Sequence, residues 1–347
     1  AINKFPVVVH VLYANAAENI SDAQINSQFP ILNAHFSKTN ANFSVTPTQF
    51  QSVAANAEME FCLTNVDPNG NAHSGITRTM VSGTFDGEKD YAKPANGGVT
   101  PWDPDKYINV YIVSLAGSGG TLGFTYTPGG APTGEDGIVF DYKAWGNVGA
   151  AAGNWPNDKG TTAVHEFGHY FNLLHIWGEN GCTVDDMVSD TPPQDKQSSD
   201  CPSFPQYDAC TGTGDGIMFT NYMDYCDDSC NTFFTEGQKA RMKAAIAGYW
   251  ATLATSNRCA SVGIAIVQPQ TINVVPNPAN DRFFINLAVS EKIDVIVMNN
   301  VGVVVEKRTA NTRQMIVNTS ELPSGLYLVK VKTGDGNTTT HKVYVAH

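Results

Sequence analysis

The chain has 347 residues, a formal net charge of −12 and 42% hydrophobic residues, which suits two globular domains with cores of ordinary size. No Lys/Arg cluster offsets the acidic balance, so an electrostatic nucleic-acid binder is excluded, and no apolar run is long enough to cross a bilayer as a helix. Seven cysteines, six of them between Cys182 and Cys259 and none in paired C-x-x-C spacing, favour disulfides and an oxidising compartment, with at least one thiol left over. The chain opens at Ala1 without an initiator Met or an apolar leader, and so reads as a processed or trimmed product.

Residues 5–13, FPVVVHVLY, form a β-branched, nearly continuous apolar run expected of a buried strand. Ser21 and Asp22 can cap a helix on which Ile25, Phe29, Leu32 and Phe36 recur at steps of three and four. Strand patterns follow at residues 60–66, 75–81 and 107–115, the first two separated by the turn Asp67-Pro68-Asn69-Gly70. The Gly/Pro/Thr-rich stretch 117–137 lacks a Gly-Lys-Ser/Thr ending and reads as a mobile loop, with an edge strand at residues 137–141.

Thr161 and Thr162 open a helix that carries His165, Glu166 and His169. Residues four apart share a helical face, so the two histidines can offer nitrogens to one metal, with Glu166 beside them to serve a water. His175 lies six residues further on and needs a sharp turn to rejoin them. Asn172 sits where that turn belongs, and Asn tolerates a left-handed backbone better than other non-glycine residues. The spacing therefore supplies three nitrogen ligands and leaves a fourth position open. Regular periodicity is scarce from residue 176 to 260, apart from a helix over 235–253 with Ala240, Met242, Ile246 and Tyr249 inward and Gln238, Arg241 and Lys243 outward. Beyond residue 272 no cysteine occurs, and short alternating strands at 283–287, 293–298, 303–307, 314–317, 326–332 and 341–345 predict a small β-sandwich. The expected organisation is a catalytic domain at 1–262, a linker at 263–271 and a β domain at 272–347.

The helix and its third histidine resemble the metzincin metallopeptidases, whose pattern is His-Glu-x-x-His-x-x-Gly-x-x-His; this chain departs from it at Asn172. Asn221-Tyr222-Met223-Asp224-Tyr225 resembles their methionine turn, with Met223 an apolar floor beneath the imidazoles. The closer resemblance is to the pappalysin branch and its cytophagalysin-like bacterial members. It covers residues 5–253 and is carried also by Phe61-Cys62-Leu63, His175-Ile176-Trp177-Gly178, Ser189-Asp190-Thr191-Pro192 and residues 221–230.

That resemblance implies an α+β fold, in which a twisted mixed sheet with helices, a zinc helix and an irregular lower subdomain precede the β-sandwich. It implies a zinc endopeptidase in which His165, His169 and His175 hold the ion, Glu166 is the general base and Tyr225 steadies the oxyanion. It also implies a structural calcium ion, for which Asp185, Asp186, Asp190 and Thr191 are the candidate ligands. The family's disulfides would join Cys182 to Cys210 and Cys201 to Cys230; Cys62, Cys226 and Cys259 receive no partner. Asp227 and Asp228 fall near the expected specificity pocket and would favour Lys or Arg after the scissile bond.

The last domain resembles the C-terminal sorting domain of type IX secretion cargo through Val275-Pro276-Asn277-Pro278, Leu322-Pro323-Ser324-Gly325-Leu326-Tyr327 and Lys342-Val343-Tyr344-Val345. The expectation is a monomer that passes the periplasm of a bacterium to the cell surface or medium, meets the secretion machinery through this domain, and cuts extended polypeptides. Two other readings stay open from the residues: an adhesin or binding protein on a silent peptidase scaffold, and a zinc hydrolase of a non-peptide bond. A carbohydrate-binding role for the sandwich also remains.

Overall fold

A computed structural model of the chain describes residues 2–154, 156–179, 181–259, 272–333 and 338–347. The fold is α+β and divides into two units, Ala1–Ala260 and Ser261–His347. The expected linker lies outside the described residues.

The first unit is built on a mixed sheet. Its central strand is β1 (Asn3–Tyr13), flanked by β2 (Met59–Leu63), β3 (Ile76–Met80) and β4 (Ile108–Val113), all parallel to it. Beyond β4 lies β6 (Ile138–Asp141), parallel, and then β5 (Gly123–Thr125), antiparallel, at the sheet's edge. Residues 5–12 of β1 are buried without interruption, because helices cover one face and a second apolar cluster around Tyr91, Tyr111 and Val139 covers the other.

Among the described residues five α-helices accompany the sheet: α1 (Asp22–Phe36), α2 (Thr48–Gln51), α3 (Gly87–Asp90), α4 (Thr161–Tyr170) and α5 (Glu236–Gly248). Ser21 caps α1 as its sequence predicts, accepting from the Gln24 amide, and Ile25, Phe29, Leu32 and Phe36 face the core. Two buried glutamines of α1 do a different task. Gln24 bonds to the carbonyls of Tyr142 and Trp145, and Gln28 to that of Gly160, so α1 shapes the approach to the start of α4.

Three expectations are corrected. The strand at 137–141 is internal, with all four residues of β6 buried; the edge is β5, whose three residues are too few to stand out in a Gly/Thr-rich stretch. On α5, Gln238 is buried and both Ala240 and Tyr249 are exposed, because Gln238 closes a capping box with Thr235 and reaches into the core. In the second unit, the four short strands expected at 283–317 are two long ones, β8 (Arg282–Asn299) and β9 (Val304–Asn318). Their pairing slips register between Asn286 and Glu291 and then resumes, so a bulge stands where the pattern suggested a turn.

With β7 (Asn273–Val275), β10 (Gly325–Thr333) and β11 (Thr338–Val345), these strands pair antiparallel in the order β11-β10-β8-β7, with β9 on the other side of β8. Alternate residues such as Phe283, Ile285, Val295, Val297, Val329 and Val331 form a separate core.

Candidate active site

Helix α4 lacks a side-chain cap of its own; its N-cap is Gly160, at φ 79°. The missing acceptor comes from far along the chain. The Asp228 carboxylate takes the amides of Lys159 at 2.8 Å and Thr161 at 3.3 Å, and the Thr161 hydroxyl at 2.6 Å. A buried anion at a helix N-terminus satisfies orphan amides and complements the macrodipole.

The other end of α4 turns as Asn172 suggests. Asn172 adopts φ 75°, its amide donates to the His169 carbonyl at 2.8 Å, and the Leu173 amide donates to Gly168 at 2.9 Å. This pair of bonds is a Schellman motif. It reverses the chain so that His175 comes back to the face of α4.

His165, His169 and His175 meet through their Nε2 atoms, at 3.0, 3.0 and 3.3 Å from one another. Each Nδ1 is engaged elsewhere: His165 with the Tyr222 carbonyl at 2.6 Å, His169 with the Leu173 carbonyl at 2.8 Å, and His175 with the Glu179 carboxylate. Carbonyl and carboxylate oxygens only accept, so each Nδ1 carries the proton and each Nε2 presents a lone pair. Burial holds all three imidazoles below the ordinary histidine range, and repulsion within the trio adds to this at His165 and His169. Three converging lone pairs repel unless a cation lies among them. Tetrahedral ligands about 2.05 Å from zinc stand roughly 3.3 Å apart, so the donor set fits that ion.

Around the trio, Trp177 stacks on His175 with centroids 4.1 Å apart, and the half-exposed Tyr225 ring stands 5.4 Å from His165 and 5.0 Å from His175. Burial, with the Glu166 charge adding to it, pushes the Tyr225 phenol up to about 12. Glu166 is buried beneath β5, and burial pushes its carboxyl up to about 8. A Cβ at Gly123 would meet Phe140 Cδ1 and the Val139 carbonyl at 3.0 Å and Glu166 Cγ at 3.1 Å, so the edge strand passes close over the glutamate. Met223 is fully buried under the site, and a Cβ at Gly168 would come within 2.5 Å of its sulfur. The mid-helix glycine is thereby explained.

A cavity of about 560 Å³ opens beside Glu166 and is lined by Gly123, Thr161, Tyr225, Asp227, Asp228 and Asn231 among others. The Asp227 carboxyl is raised by burial and by the neighbouring Asp200 charge. The acidic loop after the trio is less uniform than its residue types suggest. Asp186 Oδ1 accepts from Val188 and Thr191, while its buried Oδ2 has no hydrogen-bond partner. Burial and the adjacent Asp185 raise the Asp186 carboxyl to about 7. Asp190 is engaged elsewhere, with the Thr235 hydroxyl and the Gly237 amide on its two oxygens.

Disulfides join Cys182 to Cys210, Cys201 to Cys230 and Cys62 to Cys259, and Cys226 is a buried free thiol. Sequence reasoning missed Glu179, whose one signal is an acid four residues after His175. It also missed Asp224, a buried carboxylate that accepts from Gln194, Ser198 and Tyr225; no local pattern announces it.

Comparison with known proteins agrees with this geometry. The Peptidase M43 model, described as pregnancy-associated plasma protein-A, matches residues 98–247, and a secretion system C-terminal sorting domain matches residues 273–346. An extracellular metalloprotease of Arthroderma otae is 32% identical over 241 residues, 68% of this chain and 75% of its own. One from Arthroderma benhamiae is 32% identical over 67% of this chain and 74% of its own. Mature mirolysin of Tannerella forsythia, solved with a cleaved peptide, is 41% identical with a TM-score of 0.70, over 75% of this chain and 97% of that one. The chain therefore belongs to the pregnancy-associated plasma protein-A (M43) family, as a metalloendopeptidase secreted to the cell surface or medium through a type IX sorting domain.

Proposed function

We propose that His165, His169 and His175 hold a zinc ion through Nε2 and that Glu166 is the general base of peptide hydrolysis. The observation that carries this reading is the convergence of three unprotonated Nε2 atoms at 3.0–3.3 Å. When bound, zinc polarises the scissile carbonyl, lowers the pKa of water and offsets the burial that raises Glu166. Glu166 takes a proton from the attacking water and delivers it to the leaving amine, and its raised affinity for a proton suits the second half of that task. Tyr225 keeps its phenolic proton at neutral pH and donates it in a hydrogen bond to the developing oxyanion. Met223 fills the floor of the site and ligates nothing.

An extended substrate pairs with the free edge of β5, which lays its scissile bond over Glu166. The side chain after that bond enters the cavity beside Asp227, the freer of the two carboxylates. Asp228, committed to the start of α4, adds negative potential from the cavity wall. Together they favour Lys or Arg. A calcium ion is held by Asp185 and Asp186, a reading supported by the orphaned, buried Asp186 Oδ2. Asp190 and Thr191 shape that loop through the bonds they already make. The zinc donors, the base and Tyr225 all come from one chain, so the site as proposed needs no second copy.

The test loads the full chain with zinc and follows casein cleavage with and without chelator, beside Glu166→Ala. Wild type and variant are expected to bind zinc alike, with cleavage in wild type only, lost to chelator and restored by zinc. Equal activity of the two, or failure of wild type to bind zinc, refutes the assignment.

A further inference from the structure

The turn that carries Tyr222 and Met223 touches the base of the histidine trio, where His165 of α4 bonds the Tyr222 carbonyl and Gly168 packs against Met223. Two other helices hold it from behind. Near the end of α1, His35 Nδ1 lies 2.6 Å from the Tyr222 hydroxyl, with the rings 5.2 Å apart. Burial pushes the His35 imidazole down to about 4, so at neutral pH it is uncharged and its Nδ1 accepts the phenolic proton.

On α5, the fully buried Gln238 amide exchanges two hydrogen bonds with the Asn221 amide, each 2.9 Å. Gln238 Oε1 also accepts the Thr235 amide, and Asn221 Oδ1 accepts the Met223 amide, both at 2.9 Å. Every polar atom of the two side-chain amides is engaged, so neither can shift without stranding another. Between the two anchors lies Tyr222, and its carbonyl takes the His165 Nδ1 proton at 2.6 Å.

Resting on the metal site proposed above, we infer that His35 and Gln238 are positioning residues, which hold turn 221–223 from α1 and α5 so that the Tyr222 carbonyl aims His165 Nε2 at the metal. Neither touches substrate, metal or reacting atoms. Their effect travels through one backbone carbonyl, and a small displacement of that oxygen rotates the imidazole away from its ligand direction. Partners behind a metal ligand fix its orientation in this manner.

The experiment titrates metal-free full chain with zinc in competition with a chromophoric chelator, and measures the urea midpoint of each metal-free sample. His35→Phe keeps a ring and removes Nδ1. His35→Asn returns an acceptor where Nδ1 lies. Gln238→Met keeps the length and removes the amide. His35→Phe and Gln238→Met are each expected to weaken zinc binding about tenfold and to lower kcat more than KM, while His35→Asn recovers most of the loss.

A lowered urea midpoint with wild-type zinc affinity means ordinary packing and overturns the inference. Absence of zinc binding in wild type refutes the metal site itself, a separate outcome. Tyr222→Phe removes only the hydroxyl that His35 holds, so it serves where the other variants fail to fold. It should match His35→Phe, and the double variant should be no worse than either; additive losses, or none, overturn the pairing.

Discussion

His10 offers a sharp test of how the central strand is built. It is fully buried on β1, with Nδ1 2.8 Å from the Thr77 hydroxyl and Nε2 3.1 Å from Asn109 Oδ1. The Asn109 oxygen only accepts, so Nε2 carries the single proton and Nδ1 accepts from Thr77. Burial lowers this imidazole from 6.5 to about 4. The folded pKa is depressed, so the neutral ring's contribution is present above pH 6.5 and is lost as pH falls towards 4. With those two values, linkage removes about 2 kcal/mol between pH 7.5 and 5.0 and about 3 kcal/mol by pH 4.

His10→Gln keeps a donor towards Asn109 and cannot titrate. Urea unfolding, followed by tryptophan fluorescence, reads this unit alone, because all five tryptophans precede residue 251. Chelator in every sample keeps metal binding out of the comparison. Wild type should lose about 2 kcal/mol relative to His10→Gln on going from pH 7.5 to 5.0. The other histidines are common to both proteins and cancel. An equal gap at the two pH values refutes the buried neutral ring.

Two further outcomes follow from close contacts and charge. Gly168→Ala should gain about 1 kcal/mol of helix propensity and lose about 1–3 kcal/mol to overlap with the buried Met223 sulfur, for a net loss of stability and weaker zinc binding; a variant more stable than wild type contradicts the tight floor. Asp227→Asn should reduce severalfold the preference for Lys or Arg after the scissile bond in a peptide-library profile, and a wild-type preference for apolar residues there removes the acidic-pocket reading.

Features set by neighbours in sequence were legible before the fold was known. The Ser21 cap, the apolar stripe of α1 and the left-handed Asn172 are decided within a few residues, and the histidine spacing needs only a helix and one turn. Features set by distant partners were not. Gln238 looks like surface on its own helix; its capping box with Thr235 is local, but the Asn221 amide that completes its bonds in the core lies seventeen residues earlier. Asp228 looks like a free acid until Thr161 is beside it. Strand β5 is three residues long and gains its identity from pairing with β6. The two long strands of the second unit keep pairing through a register slip that no alternation pattern encodes.

The burial of Cys226 bears on how this chain reaches its native form. It packs with Ile217 and Phe219, against the half of a disulfide that Cys230 supplies. Burial, with nearby Asp224 and Asp227 adding to it, raises its thiol far above the usual range, and exchange requires the thiolate. An oxidising environment presents seven competing sulfurs to the unfolded chain, and the odd one is a hazard only until this small cluster closes over it. Once it has closed, packing keeps Cys226 from reshuffling the three bonds, and the fidelity of disulfide formation becomes a question of which happens first, collapse around Cys226 or oxidation.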